Sequence, residues 1–157
     1  SWEDRGSRCD EFLEVIKNLW TQDIASYEGE HISLPPCRLD PKPVQNPHIP
    51  MLIGGHSLPG LRRAARFGNG WYGFNLSPSA TANMLQKLDV ELQKQNKSRE
   101  DFEIVITPLP NASPSTVQEY RALGVDRLVL HLGNQKPERV EKRLAEVALF
   151  IEQAASI

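Results

Sequence analysis

Residues 51–76 read MLIGGHSLPGLRRAARFGNGWYGFNL, and this stretch decides the fold. Met51-Leu52-Ile53 is short and apolar and stops at Gly54-Gly55. Leu58 to Phe67 then carries Leu61, Ala64, Ala65 and Phe67 on or near one side of a helix. Gly68-Asn69-Gly70 breaks that helix, and Trp71 to Leu76 has the aromatic content of a strand. Ser57 precedes the helix as an N-cap, with Pro59 inside its first turn. Strand, helix and strand joined by short glycine turns describe a parallel pair with a helical crossover.

The same alternation continues toward the C-terminus. Ser77-Pro78-Ser79 supplies cap chemistry for a helix carrying Met84, Leu85, Leu88 and Leu92, which runs to about Gln95. Phe102 to Leu109 alternates and is rich in branched residues, as a strand does. Ser113-Pro114 opens a short helix bearing Val117, Tyr120 and Leu123, and Gly124 ends it. Val125 to Leu132 reads as a fourth strand. A last helix from about Pro137 to Ala155 aligns Val140, Leu144, Val147 and Ile151.

Upstream the pattern differs. Phe12, Val15, Ile16, Leu19 and Trp20 mark a helix over 9–20 with one buried stripe, its acidic residues toward the start as the helix dipole favours. Ser26 to Leu34, centred on Glu28-Gly29, suggests a small hairpin. Pro35, Pro36, Pro41, Pro43, Pro47 and Pro50 then forbid helix and make an extended excursion. Four strand–helix units preceded by a helix fit a parallel α/β sheet with strands buried on both faces. A doubly wound sheet and part of a (β/α)8 barrel both satisfy this. A barrel needs eight units and commonly about 250 residues. The chain has 157. The expectation is a single domain over 1–157 that amounts to a partial TIM barrel, its four C-terminal β/α units.

Composition narrows the partners. Eighteen Lys plus Arg against 20 Asp plus Glu leave a net charge of −2, with 39% hydrophobic and 24% charged residues. This is a soluble profile, and without clustered cations nucleic acid is a poor partner. No apolar stretch approaches the roughly 20 residues that cross a bilayer. Cys9 and Cys37 lack paired or metal-finger spacing, so a reducing, cytoplasmic setting is expected. The start at Ser1 suggests a piece of something longer.

In sheets of this kind ligands bind where strands end and loops begin. Gly54-Gly55-His56-Ser57 is such a loop. Glycines let the main chain approach a ligand, and a helix start offers unpaired N–H groups to an anion. Arg62, Arg63 or His56 could add charge if turned inward. The plain alternative is a tight turn with Ser57 only as a cap. Trp71 reads as core more readily than as a ring contact. His131, near the end of the fourth strand, is a possible general acid or a satisfied buried histidine. His31 and His48 have no metal-ligand spacing, neither cysteine looks nucleophilic, and the helical carboxylates read as solvated.

Four phrases carry a resemblance: Arg5-Gly6-Ser7-Arg8-Cys9-Asp10-Glu11 leading to Leu19-Trp20-Thr21; Tyr27-Glu28-Gly29-Glu30; Pro41-Lys42-Pro43-Val44-Gln45 through Pro50 to Ser57; and Arg62 through Trp71. Val125 to Leu130 adds a last strand. In this order they resemble the C-terminal half of the bacterial luciferase-like superfamily of flavin- or deazaflavin-dependent oxidoreductases and monooxygenases. The resemblance implies a (β/α)8 barrel holding FMN or coenzyme F420 at the strand ends. It implies a phosphate held by the loop Gly54 to Ser57, chiefly by Gly54, Gly55 and Ser57 with His56 and Gly60 secondary, and the loop around Gly70 and Trp71 closing over the same end. Asn69 stands where relatives often carry Asp. Because family chains run about twice this length, the resemblance also implies a small-molecule substrate bound mainly by the other half. Self-association, or a complementing N-terminal half-barrel, would cover the exposed strand edges. A non-catalytic truncated flavin-binding or dimerisation module is the alternative. An unrelated sugar-phosphate barrel would want a Lys or Glu at a strand end, and none is clear.

Overall fold

The computed structural model describes residues 3–132 and 136–156, with the side chains of Pro137 and Glu138 outside that description. Helix α1 (Arg5–Thr21) leads into a hairpin of β1 (Ala25–Glu28) and β2 (Ser33–Cys37), and the proline-rich excursion follows. Then β3 (Leu52–Gly54), α2 (Leu58–Phe67), β4 (Gly70–Leu76), α3 (Pro78–Gln93), β5 (Glu103–Pro108), α4 (Thr116–Ala122), β6 (Arg127–Leu128) and α5 (Pro137–Ala155) alternate. The four later strands form one parallel sheet in the order β3-β4-β5-β6. Each strand lies beside its predecessor, without the reversal that divides a doubly wound sheet.

Register separates the two faces of that sheet. Ile53 pairs with Trp71, and Trp71 with Ile104. Trp71, Ile104 and Ile106 join Leu61, Ala64 and Ala65 of α2, Leu85, Leu88 and Leu92 of α3, and Tyr120 of α4 in one buried cluster. Each large side chain removed from water there contributes about 1.5–3 kcal/mol. The alternate residues Tyr72, Phe74, Val105 and Thr107 belong to the opposite face. There Tyr72 Oη and Thr107 Oγ1 lie 2.6 Å apart.

Local chemistry explains the helix starts. Ser57 Oγ accepts from Gly60 N at 3.3 Å, and Ser77 Oγ from Ala80 N at 3.2 Å, each with a proline in the first turn. The short helix α4 departs from expectation: Ser113 does not cap it, and Ser115 at its start makes no side-chain cap bond. Instead the two serine hydroxyls meet at 2.7 Å and the Ser113 carbonyl accepts from Thr116 N. Burial on both faces holds for β5 but not for β3, whose Leu52 is 41% exposed at the sheet edge. The eight-residue fourth strand contracts to Arg127–Leu128, because ladder-like bonds to β5 extend only from Asp126 N to Val129 N. The stripes of α1 and α5 are also less buried than their periodicity predicts, with Phe12, Leu144 and Ile151 about half exposed.

Several helical carboxylates are engaged rather than solvated, those of α1 first among them. Arg63 bonds Asp10 and donates to the Gly6 carbonyl at 2.9 Å, and Arg66 pairs with Glu14, so α2 is tied to α1. Glu11 accepts the Glu30, His31 and Ile32 N–H groups, each at 2.9 Å, and so clamps the hairpin to α1. Burial pushes its carboxyl up, but these three bonds and the nearby His31 prevail and hold it below the ordinary value of 4.5. Lys42 closes the C-terminal end of α1 by donating to the Leu19 and Gln22 carbonyls. His48 packs against Trp20 and His31 bonds Ser7, so both serve this region's packing.

Candidate functional site

The loop from Gly54 to Ser57 joins the C-terminal end of β3 to the start of α2, and all four residues are exposed. Gly55 has φ +129, a conformation that disfavours any side chain. A Cβ there would stand 3.6 Å from Gly60 Cα, and one on Gly54 would meet nothing closer than 3.8 Å. Gly54, Gly55 and Gly60 therefore form a cradle floored by main chain.

Donors surround this cradle. Among the described residues the N–H groups of His56, Ser57 and Leu58 find no protein acceptor. The Ser57 oxygen accepts from Gly60, leaving its own proton for an outside acceptor. Trp71 is fully buried and its indole N–H donates to the Gly55 carbonyl at 2.8 Å. The 55–56 peptide is not among the cis bonds, so fixing its C=O toward Trp71 turns the His56 N–H the opposite way, out of the fold. His56 is held as well: its Nε2 accepts from Phe74 N at 3.1 Å, which leaves the ring proton on Nδ1. That amide is open because β3 ends at Gly54, whose last pair is Tyr72, so Phe74 has no β3 partner beside it.

The structure brings Gly54, Gly55, His56, Ser57 and Gly60 together, with Trp71 beneath them. It does not bring Gly70 there. Gly70 pairs with Leu52 at the N-terminal end of the parallel strands, whereas Gly54 pairs with Tyr72 toward the other end. The Gly68–Gly70 turn thus cannot close over the loop. The cationic supplement is also absent: Arg62 pairs with Glu91 at 3.5 Å, and Arg63 and Arg66 turn to α1. Asn69 holds the entry to β3 without a charge, since its Oδ1 accepts from Met51 N at 3.1 Å. The anion-holding capacity is therefore neutral, made of N–H groups, one hydroxyl and the positive end of α2.

At the far end of α2, Lys97 donates to the Ala65 carbonyl at 2.8 Å, complementing the helix dipole, and burial pushes its ammonium below the usual lysine value. His131 lies edge-on to Phe74, with ring centroids 6.1 Å apart. Both border an open cavity of about 1000 Å³ over the ends of β4, β5 and β6, walled by α5. That cavity escapes a linear reading, because α5 lies sixty residues beyond β4. The one available signal was the helical spacing of Arg139, Lys142 and Arg143. Among the described residues no group of three His, Cys, Asp or Glu could hold a metal ion. No helix there is long and apolar enough to cross a membrane.

The chain is similar to several known proteins. An uncharacterised protein of Mycobacterium tuberculosis is 30% identical over 126 residues, which are 80% of this chain and 42% of that protein. The FMNH2-dependent dimethylsulfone monooxygenase of Pseudomonas putida is 36% identical over 70 residues, 45% of this chain and 19% of the enzyme. An F420-dependent secondary alcohol dehydrogenase, solved with an F420–acetone adduct, superposes with a TM-score of 0.60 at 14% identity, over 96% of this chain and 54% of that one. The chain thus spans about half or less of the length of these proteins. The family model for luciferase-like monooxygenases matches residues 1–152, and the chain belongs to that family.

Proposed function

We propose that the chain forms the cofactor-phosphate side of a flavin- or deazaflavin-dependent oxidoreductase, with FMN or F420 bound at Gly54–Ser57. The observation that carries this reading is the bare cradle at Gly55, φ +129, set before a capped helix whose first N–H groups are unclaimed. Its donor set suits a ribityl phosphate, the group common to both cofactors. When bound, the cofactor supplies hydride transfer or oxygen activation. The His56, Ser57 and Leu58 amides and the Ser57 hydroxyl hold the phosphate, Trp71 orients the loop, and His56 ties it to β4. None of these residues acts as an acid or base.

The in-sequence strand order and the second sheet face, with Tyr72, Phe74, Val105 and Thr107, support reading the sheet as half of a closed (β/α)8 barrel. On that reading the edges at β3 and β6 are completed by another segment, a complementing N-terminal half or a second copy. That segment also supplies the other wall of the ring site and most substrate contacts. Free Cys9 and Cys37 suit a reducing cytoplasm.

Fluorescence titration with FMN and with riboflavin, which lacks the phosphate, tests the site. The chain should prefer FMN, and Gly55→Val should abolish that preference, weakening FMN at least tenfold. Loss of one or two charge-assisted bonds, about 1.5–3 kcal/mol each, sets that scale. Equal affinity for the two flavins, or an undiminished preference in the variant, would remove the phosphate from this loop.

A further inference from the structure

The imidazole of His56 takes the place of a strand residue. Leu52, Ile53 and Gly54 pair with Gly70, Trp71 and Tyr72, and the same register continued would set His56 opposite Phe74. The main chain does not continue. Gly55, at φ +129, turns it away from the sheet, and the Gly55 carbonyl accepts from the Trp71 indole instead. The His56 side chain reaches back: Nε2 accepts from Phe74 N at 3.1 Å, and the ring lies edge-on to Trp71 with centroids 6.3 Å apart. The loop is thus fastened to β4 at Gly55 by Trp71 and at His56 by Phe74. Of these fastenings only the second uses a group that changes charge near neutral pH.

That bond has one chemical condition. A main-chain N–H only donates, so Nε2 must be bare and the ring proton must sit on Nδ1. A second proton enters at Nε2, and two N–H groups then face each other where the bond had been. Among the described residues no carboxylate stands within ion-pair distance of His56 to hold a protonated ring in place. The charged groups of the neighbouring elements are engaged elsewhere or stand further off. Arg62, Arg63 and Arg66 of α2 pair with Glu91, Asp10 and Glu14, and Tyr72 Oη on β4 lies against Thr107. His131 meets the Phe74 ring, and α5 brings Arg139, Lys142, Arg143 and Glu146 to the cavity that Phe74 lines.

We infer that His56 is a proton-operated clasp on the glycine loop. Neutral, it holds the loop on β4 with the main-chain donors presented together. Protonated, it lets the loop go. The clasp stands on the pairing of His56 with Phe74, and its effect on the cofactor phosphate rests on the flavin reading above. Its sign is opposite to simple attraction between charges. A cationic imidazole beside an anion site would tighten phosphate binding in acid, whereas an opened clasp disperses the donors and weakens it.

Nitrogen-15 NMR of the histidine rings reads the clasp without any ligand. At pH 8 the His56 Nε2 should be bare and Nδ1 protonated, and at pH 5 both should carry protons. The Phe74 amide, protected from deuterium exchange at pH 8, should lose about tenfold of that protection at pH 5 after correction for the intrinsic rate. A proton on Nε2 at pH 8, or equal protection at both pH values, overturns the clasp. FMN titration of the parent chain, H56Q and H56A then reads its effect on the site. Gln offers an acceptor that does not titrate, and Ala offers none. The affinity of the parent chain relative to either variant should fall about fivefold or more from pH 8 to pH 5, the scale set by one hydrogen bond. The ratio isolates the His56 proton, because the ionisation of FMN and of every other side chain is common to all three proteins. A ratio that stays constant, or rises in acid, overturns the gating. If Gly55→Val leaves FMN affinity intact while the NMR signatures hold, the clasp stands and only the cofactor reading falls.

Discussion

Helix α2 has a glycine-rich turn at each end, and the two turns use glycine for opposite reasons. Before the helix, Gly54 and Gly55 are exposed and a Cβ on either would have room. After it, Gly68 and Gly70 are buried, and a Cβ would strike the Ala64 carbonyl at 2.7 Å or the Glu103 carbonyl at 2.5 Å. The first turn leaves its main chain open, and Gly55 is required there by its φ of +129 rather than by crowding. The second lets strands and helix close on one another. Composition alone cannot separate these uses, but the direction of the strands does, because only the first turn lies at their C-terminal end.

The largest effect should come from filling the second turn. Gly70→Ala places a methyl group against the Glu103 carbonyl and Leu52 Cδ2, and the backbone oxygen cannot swing aside. The expected cost is about 3 kcal/mol or more in urea unfolding. A loss below about 1 kcal/mol would break the distinction between the turns. A third glycine, Gly29, sharpens it. There a Cβ would meet Glu11 Oε2 at 2.5 Å, the carboxylate already pinned by three N–H groups. Because Glu11 is held below its ordinary value of 4.5, its stabilisation is present above that pH and is lost as pH falls through the lower folded value. Glu11→Gln should therefore lower the melting temperature at pH 7, and the gap from the parent chain should narrow on acidification below 4.5. A gap that stays constant from pH 7 to pH 3 would show that Glu11 acts through packing alone.

Trp71→Phe should come next. It keeps an aromatic ring in the core but releases the Gly55 carbonyl, at an expected cost of about 1–2 kcal/mol from the lost bond and the smaller ring. The freed 55–56 peptide no longer aims the His56 N–H outward, so FMN affinity should fall several-fold although the indole is buried away from the ligand. Unchanged FMN affinity would reduce Trp71 to packing.

How far these roles were legible differs by residue. Helix α2 was readable to its ends because Ser57, Pro59 and Gly68 are local signals acting on their own backbone. The ion pairs of Arg62, Arg63 and Arg66 were not, since their carboxylates arrive from α1 and α3. Trp71 sits between these cases. Its aromatic size marks it as core, but which elements bury it emerges only from the pairing with Ile53 and Ile104 and from the α2 and α3 side chains clustered with it. The position of Gly70 was misjudged for a related reason: it is next to Trp71 in sequence, yet Trp71 reaches the loop only by the length of its side chain. The overlong fourth strand shows the same limit, because alternation marks residues able to pair and not the neighbour that would pair with them.

The smallest structural perturbation gives the sharpest test of the comparison. At Gly54 the backbone is not left-handed, and the nearest atoms to a Cβ, the Tyr72 carbonyl oxygen and Cδ1, lie at 3.8 and 3.9 Å. Gly54→Ala should thus leave urea stability within about 0.5 kcal/mol of the parent chain. The new methyl group points to the Tyr72 face of the sheet, however, and on the proposed reading it would narrow the approach to the loop main chain from that side. FMN affinity should fall at least threefold while riboflavin affinity holds. If both stay unchanged, the clear surface at Gly54 serves no ligand, and the first turn is then a turn like the second with less packed around it.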